Sequence, residues 1–204
     1  MTVTKLEPVT KTKYKVFLDE EFAFVLYKGE LSRYGIREGE QIDDEVRRRV
    51  MDEVVLKRAK LRAMHLLEDM DRTEAGLLEK LRQGLYPEEA IEAALKYVKT
   101  FGYIDDYRYA KRFIESRQQT KSRREIYAQL LSKGVSSGQI DLAFEECSGP
   151  DSERDAILQI FRKKRVDPAH ATEEELHKIY GYLSRKGFRY DDIRQVIQNY
   201  NENA

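Results

Sequence analysis

A mainly α fold is predicted, made of tandem three-helix modules, three repeats in an elongated curved array, preceded by a small N-terminal β-hairpin element. Three observations predict it. First, three amphipathic stretches of the 204-residue chain can be laid side by side, residues 77–85, 127–135 and 180–188, with Gly84, Gly134 and Gly187 at the same place in each. Second, each stretch has a helix-like segment on either side, so the unit is three short helices and occurs three times. Third, β-forming runs are confined to residues 3–28. A unit of roughly 45 to 50 residues buries only a small core, so neighbouring units are expected to stack. The expected boundaries are 1–42 for the β-rich element, 43–104 for a linker helix and first repeat, 105–148 for the second repeat and 149–204 for the third.

The elements follow in order. Residues 13–18 and 22–27 alternate β-branched and aromatic side chains around Asp19, Glu20 and Glu21, which suits a hairpin, and residues 3–6 can add a third strand. A lone hairpin is marginal in water, so this one must pack on a helix or a partner. The expectation is that it serves partner contact more than stability. Beyond Gly35 and Gly39, Asp43 or Asp44 can cap a long charged helix in which Val46, Val50, Val54, Leu61 and Met64 recur near helical spacing. The leading helices of the three units are expected at 57–70, 106–118 and 151–164. Each repeated glycine can take the left-handed conformation that closes a helix, letting Leu85, Val135 or Phe188 pack back on it. The next helix then starts with Pro87 at its first position, with Ser136 or Ser137 as cap, or with Asp191 and Asp192 as caps. The pairs Ile91/Leu95, Ile140/Phe144 and Ile193/Ile197 mark the buried faces.

Composition narrows the function classes. The chain is 41% hydrophobic and 36% charged, as a soluble globular protein is, and no stretch has the roughly 18 to 20 apolar residues of a membrane span. Without a basic-then-apolar leader at Met1, a cytoplasmic location without membrane association is expected. One cysteine, Cys147, excludes an internal disulfide and a cysteine-based zinc cluster, and is read as a small packed hydrophobe. Net charge is zero, yet residues 57–134 hold 17 basic against 12 acidic side chains, and both flanks lean acidic. Within 107–133 the basic residues are Arg108, Lys111, Arg112, Arg117, Lys121, Arg123, Arg124 and Lys133, against Glu115 and Glu125. That stretch suits a polyanion or an acidic protein surface.

The reactive motifs are missing. There is no phosphate-binding P-loop, no dinucleotide glycine motif and no nucleophile elbow. His170 and His177 near Glu173–Glu175 lack the further ligand a metal site needs, and His65 is isolated. The pairs Asp43/Asp44, Asp105/Asp106 and Asp191/Asp192 sit where helices begin and read as caps. No catalysis, metal or cofactor is expected. Thirteen tyrosines and no tryptophan suit half-buried positions. An alternative reading is a helix-turn-helix-like DNA-binding transcription regulator, but the third helices carry Glu88, Glu89, Glu92 and Asp141 where base-reading side chains would stand.

Residues 101–110, Phe-Gly-Tyr-Ile-Asp-Asp-Tyr-Arg-Tyr-Ala, followed by Phe113, Ile114, Ser116 and Arg117, closely resemble the G-Y-I-D-D-x-x-Y/F-A pattern of RecX regulatory proteins. Arg72, Thr73, Glu74, Leu77, Lys80 and Leu81 resemble that family's R-S-E-x-E-L-x-x-K-L run, and residues 126–135 its I-x-x-E-L-x-x-K-G-I run. Gly76 and Gln129 depart from it, each standing where the family has Glu, and the glycine costs about 1 kcal/mol of helix stability relative to alanine. The match is firm over 57–147 and holds in layout beyond. The resemblance implies a monomeric, non-catalytic regulator that binds the RecA recombinase filament on DNA, with weak single-stranded DNA binding allowed. It would lower recombinase and coprotease activity in DNA repair and the SOS response.

Partner contact is assigned to Arg108, Arg112, Arg117, Lys121, Arg123, Arg124 and Lys133. Among them Arg117, Lys121, Arg123 and Arg124 bracket an expected loop tip at 118–120, and charge reversal at Arg123 and Arg124 is expected to spare folding. The signature residues Gly102, Tyr103, Asp105, Asp106, Ala110 and Gly134 are assigned to structure. Tyr103, Asp105 and Asp106 in particular are assigned to capping and packing between the first two modules.

Overall fold

The structure, a computed structural model, describes residues 1–147, 149 and 152–202. It divides into two compact units, Met1–Asp105 and the chain from Asp106 onward, which are taken in turn.

The first unit opens with an antiparallel sheet in the order β1 (Val3–Pro8), β2 (Lys13–Leu18), β3 (Glu21–Tyr27). The third strand therefore forms, and the β2–β3 turn is tighter than the sequence suggests: Asp19 and Glu20 both have positive φ, at 48° and 73°, and Glu21 is already in the strand. Two left-handed residues give the turn whose twist matches the strands. Alternation sends Val3, Val16, Leu18, Phe24 and Leu26 to one face, all buried in the same core as Val50, Met51, Val55, Leu77, Leu81 and Ile91. This corrects the expectation for the N-terminus. The sheet's inner face is part of the first hydrophobic core, and its removal would uncover the helices it packs on.

A short helix, α1 (Lys28–Arg33), leads to α2 (Asp44–Val50), a π-helical turn at Met51–Val55 and α3 (Leu56–Asp69). Asp43 provides the cap, its carboxylate accepting from the Val46 N–H at 2.8 Å. The π turn inserts a residue into the α-helical period and rotates the apolar face. Buried positions run Val50, Met51, Val55, Ala59, Ala63 and Leu66, while Leu61, expected on the apolar face, is 53% exposed.

The first module is completed by α4 (Glu74–Gln83) and α5 (Glu88–Thr100). Pro87 stands one place earlier than expected, as the N-cap of α5 with an extended ψ of 153°. Gly76 is the third residue of α4, its N–H held by the Thr73 hydroxyl at 3.0 Å. It thus sits in the capped first turn, where an interior glycine's cost is not fully felt.

In the second unit, α6 (Asp106–Glu115), α7 (Arg123–Ser132) and α8 (Ser137–Cys147) enclose Ala110, Ile114, Ile126, Leu130, Ile140 and Phe144. The third module, α9 (Ser152–Lys164), α10 (Glu173–Arg185) and α11 (Tyr190–Glu202), encloses Ile157, Phe161, Leu183, Phe188 and Ile193. Asp151, where the third module's leading helix is expected to begin, lies outside the described residues. Asp191 and Asp192 lie inside the first turn of α11 instead of capping it, and there they favour the positive end of the helix dipole.

The closing motif of α7 and α10 matches expectation. Gly134 and Gly187 have φ of 84° and 90°, and the N–H groups of Val135 and Phe188 reach back to Leu130 O and Leu183 O at 3.2 Å. In the first module the register is one residue later. Gly84 has an ordinary φ of −75°, Leu85 is the left-handed residue at 60°, and Tyr86 N–H bonds Leu81 O at 3.3 Å. The equivalent of Val135 is therefore Tyr86, whose larger ring covers the helix end that Leu85 was expected to cover. Its phenol pKa is raised by burial.

Candidate partner-binding site

Five of the seven residues assigned to partner contact fall into two groups with different surroundings. On α6, Arg108 and Arg112 are exposed and one helical turn apart. Lys111 lies on another face and is committed to Glu146 of α8, which also accepts from the Tyr107 hydroxyl. These bonds, Lys111 first, hold the Glu146 carboxyl below the usual carboxylate range. The first group centres on Phe113, which is itself 7% exposed. The Arg117 guanidinium lies 3.8 Å from its ring centroid, Lys133 Nζ 5.7 Å from it, and the Tyr109 ring stacks on it at 6.1 Å. Cations on a ring face gain about 0.5–1 kcal/mol each.

The second group is not the free loop tip expected from the sequence. Helix α6 ends at Glu115, and the turn after it runs straight into the joint with the third module. Ser122 is fully buried. Its oxygen accepts from the Glu125 N–H at 3.1 Å, capping α7, and its hydroxyl donates to Lys186 O at 2.6 Å. The Arg123 N–H donates to Glu153 of α9 at 2.8 Å, while its guanidinium lies 4.5 Å from the Phe144 ring centroid. The stem of Arg124 lies against Gly187, and a β-carbon there would sit 2.9 Å from Ser122 Oγ. Lys121 pairs with Glu125 at 2.7 Å. Arg123 and Arg124 therefore help hold two modules together, and reversing their charge is no clean test of partner contact.

Beside this joint lies a cleft of about 580 Å³, lined by Lys121, Arg123, Phe144, Arg154, Arg189 and, on the acidic side, Glu153 and Asp192. The sequence reading missed Arg154 and Arg189 because they come from a stretch with an acidic balance. Ser122 had a readable signal, since Ser122 followed by Glu125 three places on is a helix-start pattern.

The signature residues divide between structure and surface. Gly102 is left-handed at 66°, Tyr103 N–H bonds Val98 O at 3.0 Å, Asp105 immediately precedes α6, Asp106 begins it, and Ala110 is fully buried in the second core. Tyr103 departs from its assigned packing role. Its ring is 52% exposed and stacks on the 56% exposed Phe101, and the residue of the signature that enters the first core is Ile104. Its polar hydroxyl and the left-handed turn at Gly102 both favour this outward placement.

His170 pairs with Asp167 at 2.9 Å, and among the described residues no three histidine, cysteine or acidic side chains converge as metal ligands would. Cys147 is half-buried and its thiol pKa is pushed up, chiefly by burial, as expected of a packed residue. Among the described residues no helix is long and apolar enough to cross a membrane.

Repeated three-helix modules define a helical-repeat protein. The comparisons give the family. Residues 59–97, 105–143 and 151–197 match the first, second and third three-helix domains of RecX. The chain is 33% identical to "Regulatory protein RecX" of Caldanaerobacter subterraneus subsp. tengcongensis, over 97% of this chain and 98% of the relative. It is 30% identical to the protein of the same name from Clostridium botulinum (strain Alaska E43 / Type E3), over 96% and 94%. The chain belongs to the RecX family of regulatory proteins. Two crystal structures share the fold: a regulatory protein RecX with a TM-score of 0.62 and 24% identity over 96% of this chain and 98% of that one, and RecX from Lactobacillus salivarius, with 0.63 and 22% over 72% and 96%.

Proposed function

We propose that the chain binds the filament that RecA recombinase forms on DNA and lowers its recombinase and coprotease activity, acting in DNA repair and the SOS response without catalysis of its own. Family membership supports the regulatory role. The observation that carries the binding surface is the basic group on the second module, with Arg117 and Lys133 over Phe113 and Arg108 and Arg112 on the same module. A filament offers phosphates and acidic protein surface together, so a cluster of cations on one module suits it. Three tandem modules each making weak contacts gain affinity through their linkage.

The test is DNA-dependent ATP hydrolysis by RecA of the same organism on single-stranded DNA, with increasing amounts of this protein added before or after filament assembly. Loss of hydrolysis below one protein per recombinase is expected. No effect at an excess of folded protein, together with protection of one duplex sequence over others, would favour the transcription-regulator reading.

A further inference from the structure

Residues 135–204 are acidic in sum, yet cations predominate around the end of α9 in the third module. Two grooves lie there and share Val166. One, of about 250 Å³, has Leu158, Phe161 and Pro168 for its apolar lining and Arg162 and Arg165 for its cations. The other, of about 290 Å³, has Ile179 and Tyr182 beside Lys164, Lys178 and Arg185. The carboxylates are Asp167 and Glu175, and both are engaged close by in the chain. Asp167 pairs with His170 at 2.9 Å and accepts from the Ala169 N–H at 3.1 Å, while Glu175 accepts from the Thr172 N–H and hydroxyl at 2.9 and 3.0 Å. Lys178 is paired with Glu174 at 2.6 Å, and Lys164 lies 4.4 Å from the centroid of the Tyr182 ring. Arg162, Arg165 and Arg185 are exposed and make no ion pair among the described residues.

Helix ends explain part of this. Arg162 and Lys164 stand in the last turn of α9 and Arg185 in the last turn of α10, where cations favour the negative end of the helix dipole. Arg165 lies beyond the helix and has no such reason. It closes α9 with φ at 56°, at the place that Gly134 and Gly187 hold after α7 and α10, while the Val166 N–H reaches back to Phe161 O at 3.1 Å. Glycine takes that conformation without strain and arginine does not, so helix closure alone does not account for the residue.

We propose that these two grooves dock an acidic amphipathic segment of a partner protein, its apolar side chains seated in the grooves and its carboxylates against Arg162, Lys164, Arg165 and Arg185. The charge complementarity is one-sided, because the grooves' own carboxylates are already bonded within the chain. Apolar contact beneath the charges excludes water and strengthens the pairs around it. A nucleic-acid backbone would meet the cations and leave the apolar lining uncovered, so the lining favours a peptide. This surface belongs to a different module from the basic group around Phe113. It is assayed with peptides alone, so its failure and that of the filament reading are distinguishable.

The experiment measures, by fluorescence anisotropy at one moderate salt concentration, the binding of labelled probes to the intact chain. The probes are a peptide of glutamate and leucine with its leucines at helical spacing, the matching peptide of lysine and leucine, polyglutamate, and an oligothymidylate. Wild type is compared with Lys164→Glu/Arg185→Glu and with a control, Lys163→Glu/Arg194→Glu, which makes the same change of net charge at two exposed cations of the same module that line neither groove. The glutamate–leucine peptide should bind most tightly, and the groove variant should weaken it about tenfold more than the control does. Arg165→Gly relieves the strained closure, so it should melt no lower than wild type and still bind the peptide less tightly, which separates docking from folding even where the double variant fails to fold. Equal weakening in groove variant and control would overturn the proposal, as would unchanged binding by Arg165→Gly or no binding of the peptide to wild type. Polyglutamate or oligothymidylate binding as tightly as the glutamate–leucine peptide would overturn it too, reducing the surface to a site for polyanions.

Discussion

Ser122 shows how much one small side chain can hold. It caps α7 through Glu125 N–H and crosses to Lys186 O in the next module, with no exposure to water. Loss of an N-cap costs about 1 kcal/mol, and leaving a buried acceptor unpaired about 1–3 kcal/mol. Ser122→Ala should therefore lower stability by about 2–4 kcal/mol in denaturant unfolding, whereas Ser132→Ala, on the exposed end of the same helix, should stay within about 0.5 kcal/mol. Equal small effects would show that the joint does not depend on this hydroxyl. Glu146 gives a pH prediction of known sign. Its carboxyl is held below the usual range by Lys111 and then Tyr107, so its contribution is present above the unfolded pKa and is lost as pH falls through the folded one. Glu146→Gln should flatten the acid side of the stability profile and also alter the alkaline side, because the same carboxylate raises the pKa values of Lys111 and Tyr107, as followed by melting across pH.

At the scale of elements, the long helix from Asp44 to Asp69 separates what the sequence reveals from what it conceals. Its existence, a cap at Asp43 or Asp44 and its charge were legible, because capping and helical spacing are local properties, and the structure places the cap at Asp43. The turn at Met51–Val55 was not, since nothing in those five residues distinguishes a π turn from an α turn. The expected apolar face consequently drifted and included Leu61. Met51→Ala should cost about 2–5 kcal/mol and Leu61→Ala less than about 0.5 kcal/mol, in the same denaturant series. The first module's closure behaves similarly: the repeat pattern places it at Gly84, and the chain turns left-handed one residue later, at Leu85, with Tyr86 packed over the helix end. The sheet's three strands were legible from alternation, but their role was not. Which face meets a helix from residues 50–91 is a tertiary fact, and deletion of residues 1–28 should now cause a large loss in the denaturant midpoint.

For the whole molecule, the tandem arrangement is written in the chain three times over, and both the family signature and the charge imbalance of residues 57–134 are legible in the sequence. The candidate site was only partly visible. Arg117 and Lys133 could be named as basic residues, but their shared support on Phe113 depends on the packing of α6 beside the end of α7. Arg123 and Arg124 looked like neighbours of a free loop because the bonds from this segment to Glu153 and Lys186 span 30 and 64 residues. A cleaner test of the partner surface is Arg117→Glu with Lys133→Glu, which should weaken filament inhibition while changing stability by no more than about 1 kcal/mol per residue, the worth of each ring contact.

The most direct measurement is equilibrium binding of the labelled protein to three targets at one salt concentration: RecA assembled on single-stranded DNA, free RecA and the bare DNA. Binding to the assembled filament at least tenfold tighter than to either component, reduced in the Arg117→Glu/Lys133→Glu variant, is the expected result. Binding to bare DNA as tight as to the filament, and unaffected by that variant, would contradict a regulator that acts through the filament.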